Sequence, residues 1–187
     1  MVDFNYEIRY IKATLPEMEK YLQSRDLYRL IFVPTEKGEP PYPTLTIGTF
    51  LLALERAKGF SKTAAQQSQW KKFAQETDHL RNRWRQAWLD KAKLDASSRI
   101  RRWQDFLREY LQKPADQIDR YVYEARHRVI LELLRGENPD LREVWDTLQQ
   151  LDQRLQERWI KGDFIWESEI QAHFPADHFW YLWGKPC

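Results

Sequence analysis

Along most of this 187-residue chain, apolar residues return every third or fourth position, and only six glycines interrupt them, at 38, 48, 59, 136, 162 and 184. That period is the turn of an α-helix, so long helices are the only regular structure most of the chain can form while burying one face. Charged residues make up 31% and mean hydropathy is −0.77, values that on their own suit a disordered chain. Nine Trp, nine Tyr and nine Phe argue the other way. Each ring offers a large apolar surface that drives burial, and disordered chains carry few of them. The expectation is therefore an all-α fold. It is a single domain over residues 1–187, a helical bundle of about five to six helices with the aromatic-rich C-terminal tail packed on it. A chain of this length hides roughly 70% of its unfolded surface, enough for one core.

The individual elements follow from caps and spacing. Thr14-Leu15-Pro16-Glu17 reads as a helix start, with Thr14 capping and Pro16 in the first turn. Residues 27–33 read equally as helix or strand, and the proline-rich stretch Pro34 to Pro43 as a loop. Thr46 opens a helix that Gly59 stops. Ser61 then caps the longest periodic segment, in which Trp70, Phe73, Thr77, Leu80, Trp84, Ala87, Lys91 and Leu94 form a heptad seam. The phase slips at Asp95-Ala96-Ser97-Ser98, where a bend is expected before Ile100, Trp103, Leu107 and Tyr110 resume the spacing. An unbroken helix from 61 to 111 would run ~76 Å. Lys113-Pro114 ends this segment, and Ile118, Val122, Ala125, Val129 and Leu133 mark the face of the next helix, closed by Gly136. Asn138-Pro139 starts another, with Leu141, Val144, Leu148, Leu151, Leu155 and Trp159 on one side and Gly162 at its end. This helix and the 70–111 segment are expected to pack antiparallel.

Charge is distributed unevenly. Residues 1–60 balance, residues 61–113 hold 13 basic against 6 acidic groups, and residues 114–187 hold 9 basic against 14 acidic. The basic middle admits a nucleic-acid reading, with Lys71, Lys72, Arg85, Arg101 and Arg102 on phosphates and interleaved tryptophans stacking on bases. Against it, these cations fall on no single helical stripe. Acids stand three or four residues from many basic groups of this segment, as Asp78 does from Arg81 and Asp105 from Arg108, the arrangement of a solvated helix face.

No catalytic motif is visible. His173 and His178 are five apart across a proline, a spacing that puts no two ligands on one helical face, so no metal is expected. The serines have no nucleophile-elbow context, and no two glycines lie close enough for a phosphate loop. A lone cysteine at position 187 excludes an internal disulfide and suits the cytoplasm. The first residues carry acids and no apolar stretch, so no signal peptide is expected. The longest apolar runs have five residues, against about 18 for a membrane span. What remains is surface. The leading expectation is a non-enzymatic, cofactor-free interaction or scaffold module, self-associating in its simplest version. Trp180, Tyr181 and Trp183 in the tail and Tyr42 in the proline-rich loop would meet a protein partner.

Overall fold

The computed structural model describes residues 2–112 and 118–187. The protein is all-α, with one small two-stranded sheet, and its contacts divide it into two compact units, Met1–Asp95 and Ala96–Cys187.

The first unit holds helices α1 (Phe4–Gln23), α2 (Ile47–Phe60) and α3 (Ala64–Arg83), which pack on one another, and the start of α4 (Arg85–Tyr110). Its core includes Ile11, Met18, Tyr21, Ile47, Phe50 and Trp88, all fully buried. Helix α1 begins ten residues before the expected Thr14. Asp3 is the cap, and its carboxylate accepts the Tyr6 N–H at 2.9 Å. Thr14 is buried mid-helix instead, where its hydroxyl donates to the Tyr10 carbonyl at 2.8 Å. Pro16 sits inside the helix. Both residues carry start signals, but the apolar series Phe4, Ile8, Ile11, Met18 and Leu22 runs straight through them and is buried along its length. Burial of that face outweighs the one hydrogen bond that proline removes.

Residues 27–33 form neither helix nor a full strand, but meet the chain again at a single antiparallel bridge, Arg29 to Leu45. Thr46 caps α2 as expected, reciprocally with Thr49, and the helix ends one residue past Gly59. Thr63, not Ser61, caps α3, paired with Gln66.

The expected bend at 95–98 is absent; the helix breaks at Trp84, and α4 runs unbroken from 85 to 110. Asp95 explains the misreading. It is buried, and its Oδ2 accepts the N–H of Gly48 at 2.7 Å, in the first turn of α2. A residue of cap type here serves the end of a different helix. The buried face of α4 is Trp88, Lys91, Ala92, Asp95, Ala96, Arg99 and onward to Trp103 and Tyr110, while the expected seam residue Leu94 is half-exposed. The two polar residues of the expected seam, Thr77 and Lys91, are buried. The Lys91 ammonium donates to the Asp26 carbonyl and sits 4.5 Å from the Tyr21 ring centre; burial pushes its pKa down.

The second unit contains the rest of α4, α5 (Ile118–Glu137), α6 (Arg142–Gln156), and strands β1 (Trp159–Phe164) and β2 (Trp183–Pro186). The expected stop at Lys113-Pro114 and the side chain of Ile118 lie outside the described residues. Asn138 does not cap α6, which starts at Arg142; the Asn138 carbonyl instead accepts the indole N–H of Trp145 at 3.0 Å. Gly162 and Trp159 belong to β1 rather than to the helix. The strands pair antiparallel, Trp159 with Pro186 and Lys161 with Gly184. Gly184 has φ +141°, and a Cβ there would lie 2.1 Å from the Ile160 carbonyl oxygen, so only glycine fits. The aromatic tail packs on α5: the Tyr121 hydroxyl donates to the Tyr181 carbonyl at 2.7 Å, and the Trp166 indole to the Val122 carbonyl at 3.0 Å.

Candidate interaction surface

The four aromatic residues expected to meet a partner are engaged within the protein. Tyr181 has no exposed surface, and the Arg128 guanidinium lies 4.4 Å over its ring. Trp180 stands edge-on to Trp159 at 5.2 Å, and the Trp183 indole donates to the Phe174 carbonyl at 2.8 Å. Both are half-buried. Tyr42 rests on Tyr6 and Tyr10, with ring centres 4.9 and 5.7 Å away, and its hydroxyl accepts from Arg9 at 3.3 Å. Arg9 also pairs with Glu36 and Glu39, so the proline-rich loop is strapped to α1.

The basic residues are placed differently. Lys71, Lys72 and Arg85 are exposed in the first unit, and Arg101 and Arg102 are exposed in the second. Of the interleaved rings, Trp88 and Trp103 are fully buried, while Trp70, whose indole donates to the Leu54 carbonyl at 3.0 Å, and Trp84 are half-buried.

The second unit has two buried polar clusters. In one, Arg99 donates to Nδ1 of His127 at 2.9 Å, and Nε2 of His127 lies 3.1 Å from Glu124. Nδ1 accepts, so the proton of the neutral ring sits on Nε2. Burial first, and then the neighbouring arginines, hold the His127 pKa below its ordinary value; its hydrogen bond holds the Glu124 carboxyl low. In the other, Arg128 grips Asp152 through Nε at 2.9 Å and Nη2 at 2.8 Å, and donates from Nη1 to Glu132 at 2.9 Å. Each charge faces an opposite one, the condition under which buried ions are tolerated. Among the described residues no group of three or more His, Cys, Asp and Glu converges as a metal site would need. A shallow apolar dent between α4 and α6, lined by Leu107, Leu111 and Leu151, brings no acid–base pair together. No helix among the described residues is long and apolar enough to cross a membrane.

One region does offer apolar surface. Tyr28 is 52% exposed, Leu30 56%, Phe32 89% and Val33 43%. They stand in one run of the first unit. At the bridge, Arg29 and Leu45 exchange both backbone bonds, at 3.0 and 2.8 Å. Further pairing is blocked on both sides. The next pair would oppose Ile31 to Pro43, which has no N–H to give, and Ile47 on the other side already belongs to α2. Leu30 to Val33 therefore make no backbone hydrogen bond to any described residue. Arg29 is held besides by Glu17 at 2.9 Å, which fixes the base of the strip on α1. The signal was present in the sequence as seven consecutive residues, Leu27 to Val33, rich in strand-forming types and bounded by Pro34. The segment that reads equally as helix or strand becomes neither, and keeps only the one bridge. Comparison with protein-family models, curated proteins and solved structures finds no match for this chain.

Proposed function

We propose that the protein is a non-enzymatic interaction module that docks a strand of a protein partner along Tyr28–Val33. What supports this is one observation: four neighbouring apolar residues of this segment are exposed while the backbone of Leu30 to Val33 makes no hydrogen bond to the backbone of any described residue. Both features suit strand addition, in which main-chain bonds give affinity and alternate side chains give specificity. The surface involved is on the order of 400 Å², the size at which a patch on a monomer is often functional. The buried clusters around His127 and Arg128 supply no competing catalytic reading, because both ring nitrogens of His127 and the guanidinium of Arg128 are already engaged by neighbouring side chains. With a single cysteine in the chain, the cytoplasm is the compartment this reading assigns.

A random peptide library selected on the full chain tests the reading. Enriched peptides should alternate apolar and polar residues and should lose binding to Phe32→Asp. No enrichment, or peptides that bind Phe32→Asp equally well, overturns it.

A further inference from the structure

Independently of the edge at Tyr28–Val33, we infer that the α1 face formed by Tyr6, Arg9 and Tyr10 docks an acidic, proline-rich segment of a partner protein, and that the chain's own Glu39–Pro43 occupies it as an internal competitor. Arg9 and Tyr10 follow Tyr6 by three and four residues, so all three share one face of the helix. The Tyr10 hydroxyl donates to the Thr49 hydroxyl of α2 at 3.2 Å, which anchors the face on two helices.

The loop sits on this face as a ligand would. Pro40, Pro41 and Pro43 have no N–H to give and a fixed φ, so the segment loses little freedom on docking. Residues 40–43 make no backbone–backbone hydrogen bond to any described residue. What ties them to α1 is side-chain contact. The Tyr6 hydroxyl donates to the Pro41 carbonyl at 3.4 Å, and the Tyr42 ring rests on Tyr6 and Tyr10. Extended proline-rich segments dock on aromatic-lined faces of this kind.

Arg9 adds a preference for acid. Among the described residues its side chain bonds only to this loop: to Glu39, to Glu36 at 3.0 Å and to the Tyr42 hydroxyl at 3.3 Å. The Glu39 side chain is only 7% exposed, and its other oxygen accepts the Glu36 N–H at 2.9 Å. Neither α1 nor α2 supplies Arg9 with a carboxylate, so without the loop a cation and two tyrosines stand uncovered. The pattern recognised is a carboxylate followed directly by two prolines and an aromatic ring. Tyr42 thus marks what a partner brings rather than where it binds. The Arg29–Leu45 bridge closes the base of the loop, which can leave the face without either helix moving. A tethered segment acts at an effective concentration of about a millimolar, so a free peptide making the same contacts binds in about that range or tighter once the loop is displaced.

A peptide with the sequence of residues 36–44, titrated to several millimolar into the isotope-labelled full chain and followed by the amide shifts of α1, tests this. An opened chain, Glu39→Ala with Tyr42→Ala, should bind it at least about tenfold more tightly than the wild type, whose own loop competes. If circular dichroism shows the double variant unfolded, Tyr42→Ala alone takes its place. Adding Arg9→Glu to the opened chain should remove binding, and a peptide with lysine in place of the glutamate before the prolines should restore it. Replacing the prolines of the peptide by glycine should weaken binding at least about tenfold. Phe32→Asp should leave this binding unchanged, so failure here and failure of the 28–33 edge are read separately. A folded opened chain whose α1 amides do not move overturns the site, as does binding that survives Arg9→Glu. Equal binding of the glycine peptide overturns the proline-rich class of partner. A wild-type dimer in sedimentation that Tyr42→Ala dissociates would mean that loops are exchanged between copies, and overturns the internal competitor.

Discussion

The aromatic tail and the 28–33 strip are built from the same kinds of residue and meet opposite fates. From Phe179 to Trp183 the side chains are buried or half-buried, whereas Phe32 is 89% exposed. Hydrophobicity does not separate them; backbone hydrogen bonding does. Trp183 leads into β2, whose main chain is paired with β1, and the Leu182 carbonyl accepts the N–H of Ile165 at 2.9 Å. With these main-chain groups paired, the tail can leave water. The strip has one bridge, and the next pairs would meet Pro43 on one side and Ile47, already in α2, on the other. Its main chain needs water or another chain, and that keeps its side chains at the surface.

The largest effect expected from breaking this comparison is at Tyr181. Tyr181→Ala removes a fully buried ring that lies against Arg128, and should cost about 3–5 kcal/mol in denaturant unfolding. A cost below about 1 kcal/mol would show the tail to be loosely packed and so more like the strip than its burial implies.

A smaller effect is expected where one polar group serves a distant helix. Asp95→Ala leaves the Gly48 N–H without its acceptor and should cost about 1–3 kcal/mol. Asp95→Asn retains an acceptor oxygen and should recover much of that loss. Equal losses in both variants would mean that the charge, not the hydrogen bond, holds the start of α2.

Asp95 also shows how legible the fold was. The helical period, the Thr46 cap and the buried frame Ile100, Trp103, Leu107 and Tyr110 were readable, because each depends on neighbours in sequence. The position of the break in the long periodic segment was not. Asp95-Ala96-Ser97-Ser98 looks like a stop only if the side chain of Asp95 caps its own helix, and its partner stands 47 residues away. Pro16 and Asn138 failed for a related reason: local cap chemistry lost to burial of a face, or to a backbone carbonyl claimed by Trp145. At the candidate surface, composition pointed to aromatic residues. Which rings stay outside depends on which backbone segments find partners, and single-residue patterns do not carry that information.

His127 is buried beside Arg99 and Arg126, and its pKa in the folded state lies below the ordinary value near 6.5. As pH falls below about 6.5, the unfolded chain takes up this proton first. Over that window the unfolded state binds more protons, so stability falls as pH falls. His127→Gln keeps one acceptor and one donor for Arg99 and Glu124 without the titration. It should flatten this part of the unfolding free energy against pH, and an unchanged slope would place the acid sensitivity elsewhere.

The smallest effect on folding is expected at the residue with the most surface. Phe32→Ala should change stability by no more than about 0.5 kcal/mol, because an 89% exposed ring has few contacts to lose. Thermal unfolding of the free chain isolates that term. With a selected peptide bound, the wild type should gain stability over Phe32→Ala, since a ligand that binds the folded state stabilises it by mass action. A gap that opens with added peptide ties the exposed ring to docking. A substantial gap already present without peptide would show that Phe32 packs within its own chain, and the contrast between tail and strip would fail.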